Sequence, residues 1–216
     1  MNTMPKITNL SYRAFLDNGI ISLLNRDDIE KALLNIKGKN KLEGRALVIA
    51  LYYTAARPTE ILELKGKHLE KENSYIKIQI PIGAKHGLPR PILISSKYRI
   101  ARELYNYAKS IFPDQFLFYH YTGKSQKFYK NRKGETIEYD YKTYKIYYWV
   151  KKWFKGIVPD SITPYFLRHN KLSQLSEAGA SMQELQQIKG ARDPKSIQAY
   201  LHMSKQKARK LGRLNK

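Results

Sequence analysis

Residues 42–62 read LEGRALVIALYYTAARPTEIL, and this stretch decides the fold. Leu42, Ala46, Ile49, Ala50 and Tyr53 recur at helical spacing, so one face of a helix is apolar. Pro58 lacks an N–H and clashes with the preceding turn, so it ends that helix and opens the next. Arg57 therefore sits at a helix N-terminus, where free backbone N–H groups and the helix dipole favour an anion. Downstream the period changes from 3.6 to 2. Ile76, Ile78, Ile80 and Ile82 alternate with Lys77 and Gln79, GAKHGLPR supplies turn residues, and Pro91-Ile-Leu-Ile returns, which predicts a β-hairpin carrying Lys85 and His86 in its loop. Helix followed by hairpin makes the chain α+β.

Working outward, Asp27 or Asp28 is expected to start a short helix through Ile29, Leu33 and Leu34, ending near Gly38. Past the hairpin the spacing predicts a helix over 99–112, a loop rich in Gly, Lys and Tyr over 113–135, and a long helix along Ile146, Trp149, Val150, Trp153 and Ile157. Its aromatics are read as core. Lys142, Lys145, Lys151, Lys152 and Lys155 on its other surface form a solvated face or part of a phosphate track. Three short helices close the chain: 164–178 ending at Gly179, 181–188 opened by the Ser181-x-x-Glu184 capping box, and one begun by Asp193-Pro194 that carries Tyr200. The expected fold is α+β, mainly α-helical, with a small antiparallel sheet.

Composition narrows the function. In 216 residues, 40 Lys and Arg against 18 Asp and Glu leave a formal charge of +22, which points to a polyanion partner. With 42% hydrophobic residues the chain can bury a core, so disorder is excluded, and no run approaches the ~18 apolar residues of a membrane span. No internal repeat or Gly/Ser linker divides the chain. There is no Cys, and MNTMPKITNL has no charged-then-apolar leader pattern; the expectation is a cytoplasmic protein. The five His residues, at 68, 86, 120, 169 and 202, make no HExxH or HxH spacing; no acidic pair has the spacing of a Mg²⁺ site, and no GxxxxGK[ST] loop is present. Neither metal nor nucleotide cofactor is expected.

Phosphoryl transfer without a metal needs positive charge from the protein, and guanidinium supplies it because its planar fork is always charged and grips two oxygens. Arg57 in AARPTEIL and Arg168 in TPYFLRH, each at the start of a helix, are the candidates. Each alone reads as an ordinary salt bridge; together with Tyr200 they make a constellation.

That constellation resembles the catalytic domain of the tyrosine recombinase (phage integrase) family. Arg57-x-x-Glu60 is similar to its first arginine box and Lys85 to its hairpin lysine. Tyr165-x-x-Arg168-His169 resembles the second box, usually His-x-x-Arg-His, and Tyr200 follows Gly190 at the interval of the nucleophile. The resemblance implies that Tyr200 attacks a DNA phosphate to give a 3′-phosphotyrosine intermediate and a free 5′-hydroxyl. It also implies that Arg57 and Arg168 stabilise the phosphate, that Lys85 protonates the leaving oxygen, and that Glu60 orients Arg57. His86 and His169 are left open, for proton transfer or packing. Two positions depart from the pattern. Tyr165 replaces the first motif histidine, and Ala191, nine residues before Tyr200, replaces a His or Trp; Arg192 is the candidate substitute. Such variation is expected of divergent integrases of archaeal viruses or plasmids.

The implied divisions are a short N-terminal segment over 1–40 without a complete core-binding domain, a catalytic domain over 41–203, and a basic tail over 204–216. The chain is accordingly expected to be a catalytic fragment or a naturally short enzyme. The implied partner is double-stranded DNA, with self-association into a tetrameric synapse. A type IB topoisomerase-like relaxing enzyme and a non-catalytic basic DNA-binding protein are the competing readings.

Overall fold

The computed structural model describes residues 24–81, 88–122, 127–130, 136–139, 141–158, 162–198 and 200, with the backbone alone for the described parts of 122–144. Lys85, His86, Ile82, Lys142 and the tail over 204–216 lie outside the described residues or side chains.

Helix α1 (Arg26–Leu34) is capped by Asn25, whose side chain accepts from Asp28 N while the Asp28 carboxylate accepts from Asn25 N. The cap thus lies two residues before Asp27 and three before Asp28, the expected starts, because Asp28 serves as the reciprocal partner. Ile29, Ala32 and Leu33 are buried and Leu34 is exposed. α2 (Lys41–Thr54) is the central helix. Leu47 to Leu51 are all buried, so the helix is covered on every side rather than on one face, and Leu42, expected inside, is 56% exposed. It ends at Ala55, in the left-handed region with φ +50°, and Pro58 starts α3 (Pro58–Leu62).

The expected hairpin is the larger part of a three-stranded antiparallel sheet. β1 (Leu69–Glu72), unmarked in the sequence by alternation, pairs with β2 (Tyr75–Ile80), which pairs with β3 (Arg90–Ser95). Ile76, Ile78, Ile92 and Ile94 all face the core, and Arg90 stands opposite Ile80 on that same face. α4 (Arg99–Lys109) stops short of Phe112, which is 80% exposed. The stretch read as a loop over 113–135 contains α5 (Tyr119–Thr122) and β4 (Lys127–Lys130), which pairs antiparallel with β5 (Thr136–Tyr139). Four-residue elements are too short for periodicity to reveal.

α6 (Tyr141–Trp153) buries Ile146, Val150 and Trp153, and Trp149 stacks on Trp153 at 5.6 Å, so its aromatics are core, as read. Lys151, Lys152 and Lys155 are exposed. α7 (Pro164–Glu177) is capped by the Thr163 side chain and ends before Gly179 at φ +95°. α8 (Met182–Lys189) has the Ser181–Glu184 capping box and ends at Gly190. A 3-10 turn, Pro194–Ile197, is capped by Asp193, and Gln198 and Tyr200 continue in helical conformation. α2 lies between α1, α4 and α7, so the starts of α3 and α7 meet beside the end of α8.

Candidate active site

Arg57 is the N-cap of α3. Its backbone N–H donates to Glu60 Oε2 at 2.7 Å and its Nη1 to Glu60 Oε1 at 2.9 Å. The i to i+3 spacing of a first helical turn makes both bonds possible with one carboxylate. Glu60 itself is fully buried and is surrounded by cations: Arg90 Nη2 donates to Oε2 at 2.9 Å, Arg90 Nη1 to Oε1 at 3.4 Å, and Arg168 Nη1 stands 3.8 Å from Oε2. Burial pushes the Glu60 carboxyl up, but the hydrogen bonds and charge of Arg90, with the Arg57 N–H, outweigh it and hold the group below the ordinary carboxylate range.

Arg168, on α7, is 3% exposed. Its Nη1 donates to the Ala55 carbonyl at 2.5 Å and its Nη2 to the Lys189 carbonyl at 2.8 Å, so one guanidinium fastens the end of α2 to the end of α8. Burial, and then the nearby Arg57, lower its pKa to about 10, which leaves it charged at neutral pH. The next residue, His169, faces the other way round the site to Tyr200. The two rings stack with centroids 5.8 Å apart, and Tyr200 Oη lies 2.5 Å from His169 Nδ1. Burial and the charges of Arg168 and Lys189 lower His169 to about 4, while burial raises the Tyr200 phenol to about 12. At neutral pH the phenol therefore donates and the neutral imidazole accepts, which assigns the ring proton to Nε2. Tyr200 is 4% exposed, and its carbonyl accepts from Ser176 Oγ at 2.8 Å.

Five of the residues singled out in the sequence, Arg57, Glu60, Arg168, His169 and Tyr200, are thus joined in one cluster. Tyr165 lies on the first turn of α7, 39% exposed, with its ring 6.4 Å from that of Tyr147. Arg192 is exposed; its backbone carbonyl accepts from Gln186, and among the described residues its guanidinium makes no hydrogen bond or ion pair. Ala191 is buried and offers only a methyl group. Among the described residues no group of three His, Asp or Glu stands as a metal site.

Two members of the cluster escaped the sequence reading. Arg90 is 5% exposed; besides Glu60 its Nε donates to the Ile188 carbonyl at 2.7 Å. A Cβ on Gly190, which has φ +62°, would collide with the Arg90 guanidinium, so glycine is favoured there both by backbone angle and by the arginine's path. The signal was available, since the period of two that turns Ile92 and Ile94 inward also turns Arg90 inward. Lys189, at the end of α8, has its Nζ 5.3 Å from the centre of the Tyr200 ring and 2.6 Å from the Ser196 carbonyl. It lies four residues beyond the buried Leu185, on the same helix face.

Residues 22–207 match the model of the phage integrase family. The chain is 27% identical over 203 residues to tyrosine recombinase XerD of Listeria monocytogenes serotype 4b (strain F2365), covering 87% of this chain and 60% of the relative. It is 28% identical over 204 residues to XerD of Oceanobacillus iheyensis, covering 88% and 60%. The chain thus spans about three fifths of the length of these relatives. In fold it resembles the XerH site-specific recombinase in its post-cleavage complex with palindromic difH substrate, with TM-score 0.59 and 21% identity over 88% of this chain and 52% of that one. It also resembles XerA recombinase, with TM-score 0.57 and 19% identity over 91% and 64%.

Proposed function

Because this chain belongs to the phage integrase family, we propose that it is a site-specific DNA recombinase, breaking and rejoining strands through a covalent bond between Tyr200 and a 3′-phosphate, with neither metal nor ATP. The observation that carries this reading is the convergence of Arg57, Arg168 and Tyr200, from three distant parts of the chain, around His169 and the buried Glu60. A phosphodiester entering this cluster meets fixed positive charge and a hydroxyl already bonded to an acceptor.

In the step proposed, Tyr200 Oη forms a bond to phosphorus while the bond from phosphorus to the 5′-oxygen breaks, and the phosphodiester energy is kept for religation by another 5′-hydroxyl. The Tyr200 proton passes to His169. With the phenol at about 12 and the imidazole at about 4, complete transfer ahead of attack would cost on the order of 11 kcal/mol. Transfer therefore accompanies bond formation, as the phenol oxygen becomes acidic in the transition state. Arg57 and Arg168 stabilise the non-bridging oxygens, each worth ~2.7–4 kcal/mol of barrier by analogy with oxyanion-hole donors. Tyr165, three residues from Arg168 on the same helix and accessible, donates to a phosphate oxygen. Glu60 fixes the arginines. Lys85 protonates the leaving 5′-oxygen, an assignment that rests on its place in the family motif.

The +22 charge supports double-stranded DNA as the substrate. The fold relative XerH is bound to difH substrate; assembly of this chain into a tetramer on DNA is part of the proposal. Its action on the genome of an archaeal virus or plasmid, in the cytoplasm, rests on composition and on the departures at Tyr165 and Ala191. No helix among the described residues is long and apolar enough to cross a membrane.

The test is incubation with a nicked duplex that loses its 5′-hydroxyl fragment on cleavage, in EDTA and without ATP. The expected result is a covalent protein–DNA adduct that Tyr200→Phe abolishes. An adduct undiminished in that variant, or a need for Mg²⁺, overturns the mechanism. Lys85→Ala is expected to slow cleavage of ordinary DNA far more than of a 5′-bridging phosphorothioate, whose thiolate leaves without a proton.

A further inference from the structure

The cluster around Tyr200 holds more cation than its carboxylate balances. Glu60 is already engaged by Arg57 and Arg90, yet Arg168 and Lys189 stand close by, and burial, then the charges of Arg168 and Arg57, lower Lys189 to about 8, against an opposing contribution from Asp193. Keeping like charges together is unfavourable unless an anion completes the group. Lys189 is also held in place at both ends. Its carbonyl accepts from Arg168 Nη2 at 2.8 Å, and its Nζ donates to the Ser196 carbonyl at 2.6 Å while lying over the Tyr200 ring. An ammonium has three N–H donors, and one carbonyl uses one of them. The remaining donors sit beside the ring whose hydroxyl is the proposed nucleophile.

We propose that Lys189 is a further catalytic residue, whose ammonium donates to a non-bridging oxygen of the scissile phosphate alongside Arg57 and Arg168. The inference rests on the recombinase reading and adds a residue to it. Ala191, two positions on, has no side-chain donor, and Arg192 is exposed with its guanidinium unengaged among the described residues; Lys189 is a cation that the tertiary structure brings beside the Tyr200 ring. Removing it takes away a contact that strengthens as charge shifts onto the phosphate oxygens, so the chemical step suffers more than binding.

A purely structural lysine would hold the Ser196 carbonyl and thereby the turn that leads to Tyr200. The two roles separate when the phosphate is changed instead of the protein. Single-turnover cleavage at saturating protein is measured for the unaltered chain and Lys189→Met on three substrates: the normal phosphodiester, and the two stereoisomers in which a methyl group replaces one non-bridging oxygen. On the phosphodiester, Lys189→Met is expected to cleave ~100-fold more slowly. That loss should largely vanish on the isomer lacking the oxygen Lys189 contacts and persist on the other. Equal slowing on all three substrates, or no slowing on the phosphodiester, overturns the proposal. Thermal melting and DNA binding report whether Lys189→Met is folded; should it not be, Lys189→Gln is read on the same substrates. Failure of the unaltered protein to form any Tyr200 adduct would overturn the recombinase reading itself.

Discussion

The two halves of the site rest on different foundations. Glu60 is followed by Ile61 and Leu62, which belong to the main core together with residues of α1, α2, the sheet, α4 and α6. Tyr200 belongs to a satellite cluster of buried residues, Ala55, Leu172, Leu185, Ile197 and Tyr200. Glu60, with the Arg57 and Arg90 side chains bonded to it, is thus tied to the main core, while Arg168 bridges the two clusters through its bond to the Ala55 carbonyl. Tyr200 stands on a few apolar contacts, a carbonyl bond from Ser176 and the His169 hydrogen bond. Local stability follows the amount of buried apolar contact, so the Tyr200 side is expected to open more readily than the Glu60 side, which on the proposed function would free the phenol to meet a phosphate.

Breaking the Glu60 side should have the largest effect. Glu60→Gln leaves Arg57, Arg90 and Arg168 converging on a neutral amide, and is expected to destabilise the fold by about 3–5 kcal/mol in urea or thermal unfolding, the cost of stripping a buried ion cluster of its counter-charge. A loss below ~1 kcal/mol would mean that the cluster is far better solvated than its burial indicates. Acid should act next, through His169. Its pKa of about 4 lies below the ~6.5 of an unfolded histidine, so the unfolded chain binds the extra proton between those values. Stability is then fully present above about pH 6.5 and falls as pH drops towards 4, by on the order of 3 kcal/mol. His169→Gln should lose correspondingly less over that window; parallel curves for the two proteins would place His169 in contact with water.

The satellite can be loosened by itself. Ile197→Ala is expected to cost about 2 kcal/mol, at the low end for a buried isoleucine because a small cluster relaxes. The cost should appear as faster amide exchange over 181–200, with protection of α2 unchanged. Uniform loss of protection across both regions would show one cooperative unit instead of two. The smallest effect belongs to Arg192→Ala, within ~0.5 kcal/mol in stability and at the parental single-turnover rate, since its guanidinium engages nothing in the cluster; a slower chemical step would return to Arg192 the role now given to Lys189.

Legibility in the sequence followed the range of the forces involved. Local rules act within a few residues, and they sufficed for the Ser181–Glu184 capping box, the stop at Pro58, the cap by Asp193, and the alternation of Ile76, Ile78 and Ile80. β1 and the β4–β5 pair were missed, because four-residue strands are made by pairing with distant partners and carry little pattern of their own. The apolar face read on α2 was too narrow for the same reason: how many neighbours cover a helix depends on the other helices.

By itself the sequence determined the class of the fold, the excess of positive charge, and the candidates Arg57, Glu60, Arg168, His169 and Tyr200. Helix junctions, charge and motif order are all written along the chain. Only the tertiary structure decided which cations surround Glu60, that Tyr200 bonds to His169, and that Lys189 rather than Arg192 stands beside the phenol. Arg90 is 30 residues from Glu60 and Arg168 is 113 from Ala55; pairings across such separations follow from how helices and sheet pack, and no local spacing encodes them.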